Sequence, residues 1–189
     1  KYKSEFYQSR HNNTLHSAKR IIDLVTEWVQ PESVIDIGCG VGTWLNVFKE
    51  KGVKKVLGVE GQWVDESTVV VAQEEFVKTD LEQPFNADQQ FDLAISMEVA
   101  EHISETSASQ FVKTLTQHAP VILFSAAIPL QGGKHHVNEQ WPDYWRAKFA
   151  EEGYVIVDCV RPEIWEDKKV EMWYAQNSFL YVKKEKLKD

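Results

Sequence analysis

Cysteine is scarce: Cys39 and Cys159 are the only two in 189 residues, and they lie far apart. A disulfide framework is thereby excluded as the source of stability, and reduced thiols in a cytoplasmic setting are the default expectation. No run of 18 apolar residues occurs, so no segment reads as a membrane-spanning helix. Nothing at the start reads as a signal peptide either. Positive charge is in deficit, with 21 Lys and Arg against 29 Asp and Glu and a net charge of −8. A broad nucleic-acid footprint needs clustered basic groups, so a nucleic-acid partner is not expected. Internal repeats and low-complexity linkers are absent, which predicts one domain over residues 1–189. The first residue is Lys1 rather than methionine, consistent with a domain cut from a longer polypeptide.

What is present is periodicity. Residues 14–29 place Leu15, Ala18, Ile21, Ile22, Leu24, Val25 and Trp28 on a helical period, and Pro31 ends it. Strands are expected at 33–37, 55–60, 75–79, 91–96, 120–126, 154–159 and 177–183, with helices at 43–51, 105–117 and 141–152. Such alternation predicts an α/β fold, a mostly parallel sheet with helices on both faces. The last strand follows 154–159 with no clear crossover helix, which suits an antiparallel strand. Residues 62–74 show no clean period. The first dozen, with Tyr2, Phe6, Tyr7, Arg10 and His11, read as irregular.

The most informative stretch is 34–44, Val-Ile-Asp-Ile-Gly-Cys-Gly-Val-Gly-Thr-Trp. A β-branched run enters a turn of alternating glycines, Gly38, Gly40 and Gly42, and a helical segment follows. Such a turn lets a ligand lie against bare backbone. A dinucleotide turn would want glycine where Thr43 stands. With Asp36, the stretch resembles motif I, D-x-G-x-G-x-G, of class I S-adenosylmethionine (SAM) dependent methyltransferases.

Three further signals follow in order. Glu60 ends the second strand about twenty residues on, where a carboxylate can accept both hydroxyls of a ribose; Gly61 and Gln62 would border the adenine. Asp80 and Leu81 resemble motif III, in which the acid meets the adenine amino group. Phe91-Asp92-Leu93 through Met97 matches the family's fourth strand. The resemblance implies a Rossmann-like, doubly wound, seven-stranded sheet, mostly parallel with an antiparallel last strand. It also implies SAM as cofactor and S-adenosylhomocysteine as product, lined by Asp36, Gly38, Cys39, Gly40, Glu60, Gly61, Gln62, Asp80, Leu81 and Met97. Residues 1–30 would then be a cap segment and helix, 31–126 the cofactor core and 127–189 the acceptor side.

Met97-Glu98-Val99-Ala100-Glu101-His102 follows the fourth strand. On a helix, Glu98, Glu101 and His102 would share one face, a set suited to a divalent cation. With His135 and His136 downstream, the pattern resembles the E-x-x-E-H plus distant His of Hen1-type small-RNA 2′-O-methyltransferases. That implies Glu98, Glu101, His102 and His136 (or His135) as ligands of Mg²⁺ or Mn²⁺ and as catalytic groups. E-V-x-E-H is also widespread among class I methyltransferases, so an alternative is that a histidine is the base with no metal.

The stretch 128–149 combines two glycines, two histidines, two tryptophans and a tyrosine. Flat rings beside amides and carboxylates suit carbohydrate, which makes His135, Asn138, Glu139 and Trp141 candidates for the acceptor. Trp145 fits better as a core anchor. This stretch resembles methyltransferases of glycan and polysaccharide assembly, which implies a sugar or glycan acceptor and an attached or associated glycosyltransferase domain. The resulting expectation is O-methylation of a sugar hydroxyl, with RNA 2′-O-methylation or a small phenol- or quinone-type acceptor as alternatives.

Overall fold

The computed structural model describes the backbone of residues 2–187, with side chains from Thr14 onward. The seven strands are β1 (Ser33–Ile37), β2 (Lys55–Glu60), β3 (Phe76–Lys78), β4 (Leu93–Met97), β5 (Val121–Ser125), β6 (Tyr154–Val157) and β7 (Phe179–Lys183). They form one sheet in the order β3-β2-β1-β4-β5-β7-β6. Every neighbouring pair is parallel except those of β7, which runs antiparallel to both β5 and β6. The antiparallel last strand and the doubly wound class are as the sequence predicts.

The helices are α1 (Tyr2–Val29), α2 (Thr43–Glu50), α3 (Ala108–Thr116), α4 (Pro142–Glu151), α5 (Val160–Ile164) and α6 (Met172–Asn177). Continuous apolar strands such as Ser33-Val-Ile-Asp-Ile are buried on both faces, as a covered parallel sheet requires. One face packs Ile21, Ile22, Leu45 and Phe48 of α1 and α2 with Val160 and Ile164 of α5. The other packs Phe111 and Leu115 of α3 with Trp145 and Phe149 of α4. Phe149 stacks on Tyr181 with ring centroids 3.9 Å apart; truncating such a ring costs about 3–5 kcal/mol. Trp145 is buried there, as its spacing predicts.

Two expectations need correction. The first dozen residues are not irregular: α1 begins at Tyr2. The side chains of Tyr2, Phe6, Tyr7, Arg10 and His11 lie outside the described ones. The stretch after β4 is not a helix start either. Glu98 takes φ 56°, and only a 3-10 turn, Ala100–His102, follows. That left-handed residue, unusual for a non-glycine, is held by its N–H donating to the carbonyl and hydroxyl of Ser125, both at 3.0 Å. Residues 62–74 form no α-helix but contain two 3-10 turns, Glu66–Thr68 and the first residues of Gln73–Glu75.

Strand order reverses between β1 and β4. The crevice beyond their carboxyl ends is where an open α/β sheet receives its ligand, and both clusters of interest lie there.

Candidate functional site

The glycine turn between β1 and α2 is shaped by backbone need. Gly38 sits at φ +89°, and a β-carbon on it would lie 2.5 Å from Val99 Cγ1. Its N–H donates to Val59 O at 2.8 Å. Gly40 donates its N–H to Glu60 Oε2 at 2.6 Å, and Gly61 donates to Oε1 at 2.6 Å. The Glu60 carboxylate is thus buried at a strand end and gripped from both sides, with lone pairs left for a ligand. Burial raises its pKa against these hydrogen bonds, which lower it.

A cavity of about 930 Å³ opens at this edge. Of the ten residues expected to meet the cofactor, it is lined by Gly38, Gly40, Glu60, Gly61, Gln62, Asp80, Leu81 and Met97. Asp36 and Cys39 are not among its lining. Asp36 lies beneath the turn, where burial first and the neighbouring Glu60 second hold its pKa well above the usual carboxylate range. Cys39 is a free, buried thiol packed under the loop, its pKa raised by burial. Trp63 and Val99 also line the cavity. Sequence reasoning missed Trp63, although a tryptophan three residues past Glu60 was a usable signal.

His102, His135 and Val137 extend the same cavity toward the acceptor side. Here the backbone of Glu101 organises the loop after β5: its carbonyl accepts the N–H groups of Val137 and Asn138, at 2.9 and 3.0 Å. That pairing brings His136 against the E-x-x-E-H turn. Ligand atoms of Glu101, His102 and His136 all lie within 4.8 Å of one another. His136 Nε2 is 3.9 Å from Glu101 Oε1, and the two imidazole rings meet edge to face at 4.9 Å. The ring of His136 covers Gly133, where a β-carbon would fall 2.1 Å from Nε2.

Each histidine has its far nitrogen occupied. His136 Nδ1 lies 2.8 Å from Glu139 Oε1, and His102 Nδ1 lies 3.1 Å from the carbonyl of His135. Those acceptors place the proton on Nδ1 and leave both Nε2 atoms with a lone pair, the arrangement used by metal-bound histidines. Glu139 is itself fixed by N–H groups of Leu130 and Gly132. Glu101 is buried, and among the described residues its Oε2 has no hydrogen-bond partner. Its pKa is pushed up to about 8, chiefly by burial and next by the charge of Glu98. Desolvation lowers the pKa of His102, which keeps it neutral.

Glu98 stands apart from this trio. Its carboxylate accepts Gln131 Nε2 at 2.7 Å and Asn177 Nδ2 at 3.3 Å, and Asn177 also donates to Gln131 Oε1 at 2.8 Å. Neither amide was singled out from the sequence. Of the residues expected at the acceptor, Trp141 is exposed and His135 is exposed at φ +62°. Asn138 is buried and accepts Gln140 Nε2 at 2.9 Å. Glu139 serves His136 rather than open solvent.

Comparison with known proteins agrees with this architecture. A family model described as a methyltransferase domain matches residues 10–174. No curated protein matches the chain. Among solved structures, DesVI of Streptomyces venezuelae gives a TM-score of 0.71 at 15% identity, covering 95% of this chain and 96% of that one. The sugar N-methyltransferase KedS8 of a Streptoalloteichus species gives 0.73 at 13% identity over 96% and 92%. The methyltransferase domain of a bacterial Hen1, CtHen1-CN, gives 0.61 at 17% identity over 88% and 96%. At these identities the likeness is one of fold.

Proposed function

The chain belongs to the class I methyltransferase family, and from that premise we propose that it is a SAM-dependent O-methyltransferase acting on a sugar hydroxyl with the help of a divalent cation. The observation that carries this reading is the trio Glu101, His102 and His136, of which His102 lines the cavity that Glu60 and the glycine turn define.

The trio fits a cation by its chemistry. Among the described residues, Glu101 Oε2 is a buried carboxylate oxygen with no hydrogen-bond partner, a costly arrangement unless something charged satisfies it. Ligand atoms of the three residues lie within 4.8 Å of one another, and Glu139 locks one of the rings. A divalent ion bound there would lower the pKa of one hydroxyl of an acceptor diol. SAM bound in the cavity would supply the methyl group, transferred by in-line displacement.

The chain's own residues do the rest. Glu60 fixes a ribose by its two oxygens, while Asp80 and Leu81 border the base. The bare backbone at Gly38 and Gly40 lets the ligand lie close to the turn. His135 and Val137 form the exposed rim an acceptor would meet, whereas the exposed Trp141 is not among the residues lining the cavity. A solved sugar N-methyltransferase of the same fold and the net charge of −8 favour a sugar over RNA. That neighbour is an N-methyltransferase; the choice of oxygen for this chain rests on Glu101, His102 and His136, a set that suits a metal-held diol.

The test is transfer of labelled methyl from SAM to a panel of vicinal-diol glycosides and their amino-sugar counterparts, with and without EDTA. Transfer to diols that stops with EDTA and returns with Mn²⁺ or Mg²⁺ is the expected result. EDTA-resistant transfer, or transfer to amino sugars alone, would overturn the metal and O-acceptor assignments respectively.

A further inference from the structure

A second cavity, of about 840 Å³, lies along the connection from β6 to β7 and is used by neither the cofactor nor the cation trio. Because β7 is antiparallel to both neighbours, this connection sits at the sheet edge where β4 and β5 end. Among the described residues the cavity is lined by His16 of α1, by Trp165, Glu166, Lys168 and Lys169 after α5, and by Gln176 of α6. Trp165 is 63% exposed, an open aromatic face beside these polar groups. The loop is held before any ligand arrives, so binding needs little further ordering. Trp165 N–H donates to Arg161 O at 2.9 Å, Lys169 N–H to Asp167 Oδ1 at 3.0 Å, and Glu171 N–H to Ser17 Oγ at 3.0 Å. Asp167 faces Arg20 at 3.8 Å, whereas among the described residues Glu166, Lys168 and Lys169 have no ion pair. Asn177 joins the two cavities. Gln176, which lines one, donates its Nε2 to Asn177 Oδ1 at 3.2 Å, and Asn177 Nδ2 donates to Glu98, which lines the other, at 3.3 Å.

The lining suits one ligand class. An exposed indole packs on the C–H face of a sugar ring, while carboxylates accept from its hydroxyls and ammonium and amide groups donate to them. Glu166, Asp167 and Glu171 outnumber Lys168 and Lys169 here, a balance that disfavours a diphosphate, which needs a net positive cradle. The volume is near the upper end of ligand sites, about 300–1,000 Å³, and leaves room for more than one sugar unit. Resting on the reading of the chain as a sugar methyltransferase, we propose that this cavity is an acceptor subsite. It holds the neighbouring units of a neutral oligosaccharide, stacked on Trp165, while the unit to be methylated lies at the cation trio. The acceptor is then a chain of sugars rather than a monosaccharide or a nucleotide sugar.

The experiment measures methyl transfer from SAM to xylo-, cello- and malto-oligosaccharides of increasing length, from the monosaccharide upward, for the full chain as wild type, Trp165→Ala and Trp165→Phe. The ring is exposed, and a matching thermal melt verifies the fold. In wild type KM should fall as the acceptor lengthens, while kcat changes little. Trp165→Ala should raise KM for the longer acceptors roughly two- to tenfold, the range of one aromatic contact, and Trp165→Phe should keep most of the gain. A KM independent of length, or a length effect untouched in Trp165→Ala, overturns the subsite and leaves the sugar reading standing. Uridine diphosphate that competes with the acceptor, and does so more weakly in Trp165→Ala, also overturns it by making a nucleotide the occupant. Transfer to none of these acceptors, nor to any vicinal-diol glycoside, overturns both.

Discussion

Glu101 and Glu98 are two acids three positions apart with opposite fates. Among the described residues Glu101 Oε2 has no hydrogen-bond partner, and its Oε1 lies 3.9 Å from His136 Nε2, whereas Glu98 is satisfied by the amides of Gln131 and Asn177. Burial raises the pKa of Glu101 to about 8, so the folded ligand-free chain holds a proton there that the unfolded chain releases near pH 4.3. Its contribution to stability is full below that lower value and lost as pH rises through the folded pKa. Denaturant unfolding of the metal-free chain between pH 6.5 and 7.5 should therefore show stability falling by about 1 kcal/mol. Glu101→Gln should remove that slope, and an identical slope in the variant would clear Glu101 of it. The residue types of this site were legible in the E-x-x-E-H spacing and the paired histidines. The separation of Glu98 was not, because it depends on one left-handed backbone angle and on Asn177, which is 79 residues away.

At the scale of elements, the turn from β1 into α2 is what brings cofactor cavity and cation trio together. Gly38 is pressed against Val99, just before the turn that carries Glu101 and His102. A methyl group at Gly38 must both adopt φ +89° and displace Val99. Gly38→Ala should cost about 2–3 kcal/mol in chemical denaturation and weaken S-adenosylhomocysteine binding as well. A variant of wild-type stability and affinity would refute this close packing. The strand–glycine–helix pattern was legible because β-branched runs and helical periods are strong over this length. The segment between β6 and β7 was not, since α5 and α6 have five and six residues, too short for a period to emerge. The first half of α1 was missed because Gln8 through Asn13 offer no apolar stripe.

Taken as a whole molecule, the sheet reverses direction between β1 and β4, and the chain delivers its chemistry to that edge from three distant segments. Residues 36–63 line much of the cavity, 97–102 carry Glu101 and His102, and 131–139 carry His136 with Glu139 against its ring. The two flanking cores hold these segments in register. The fold class followed from the alternation of strands and helices, whereas the nature of the acceptor depends on surfaces that periodicity does not encode. The central claim is that one divalent ion binds per chain at Glu101, His102 and His136. It is tested most directly by titrating the chain with Mn²⁺ and following free ion by electron paramagnetic resonance, alongside Glu98→Gln and His136→Ala. The account predicts one tight site in wild type, retained in Glu98→Gln and lost in His136→Ala. A wild-type chain that binds no Mn²⁺ tightly, or a His136→Ala chain that binds it equally well, would contradict it.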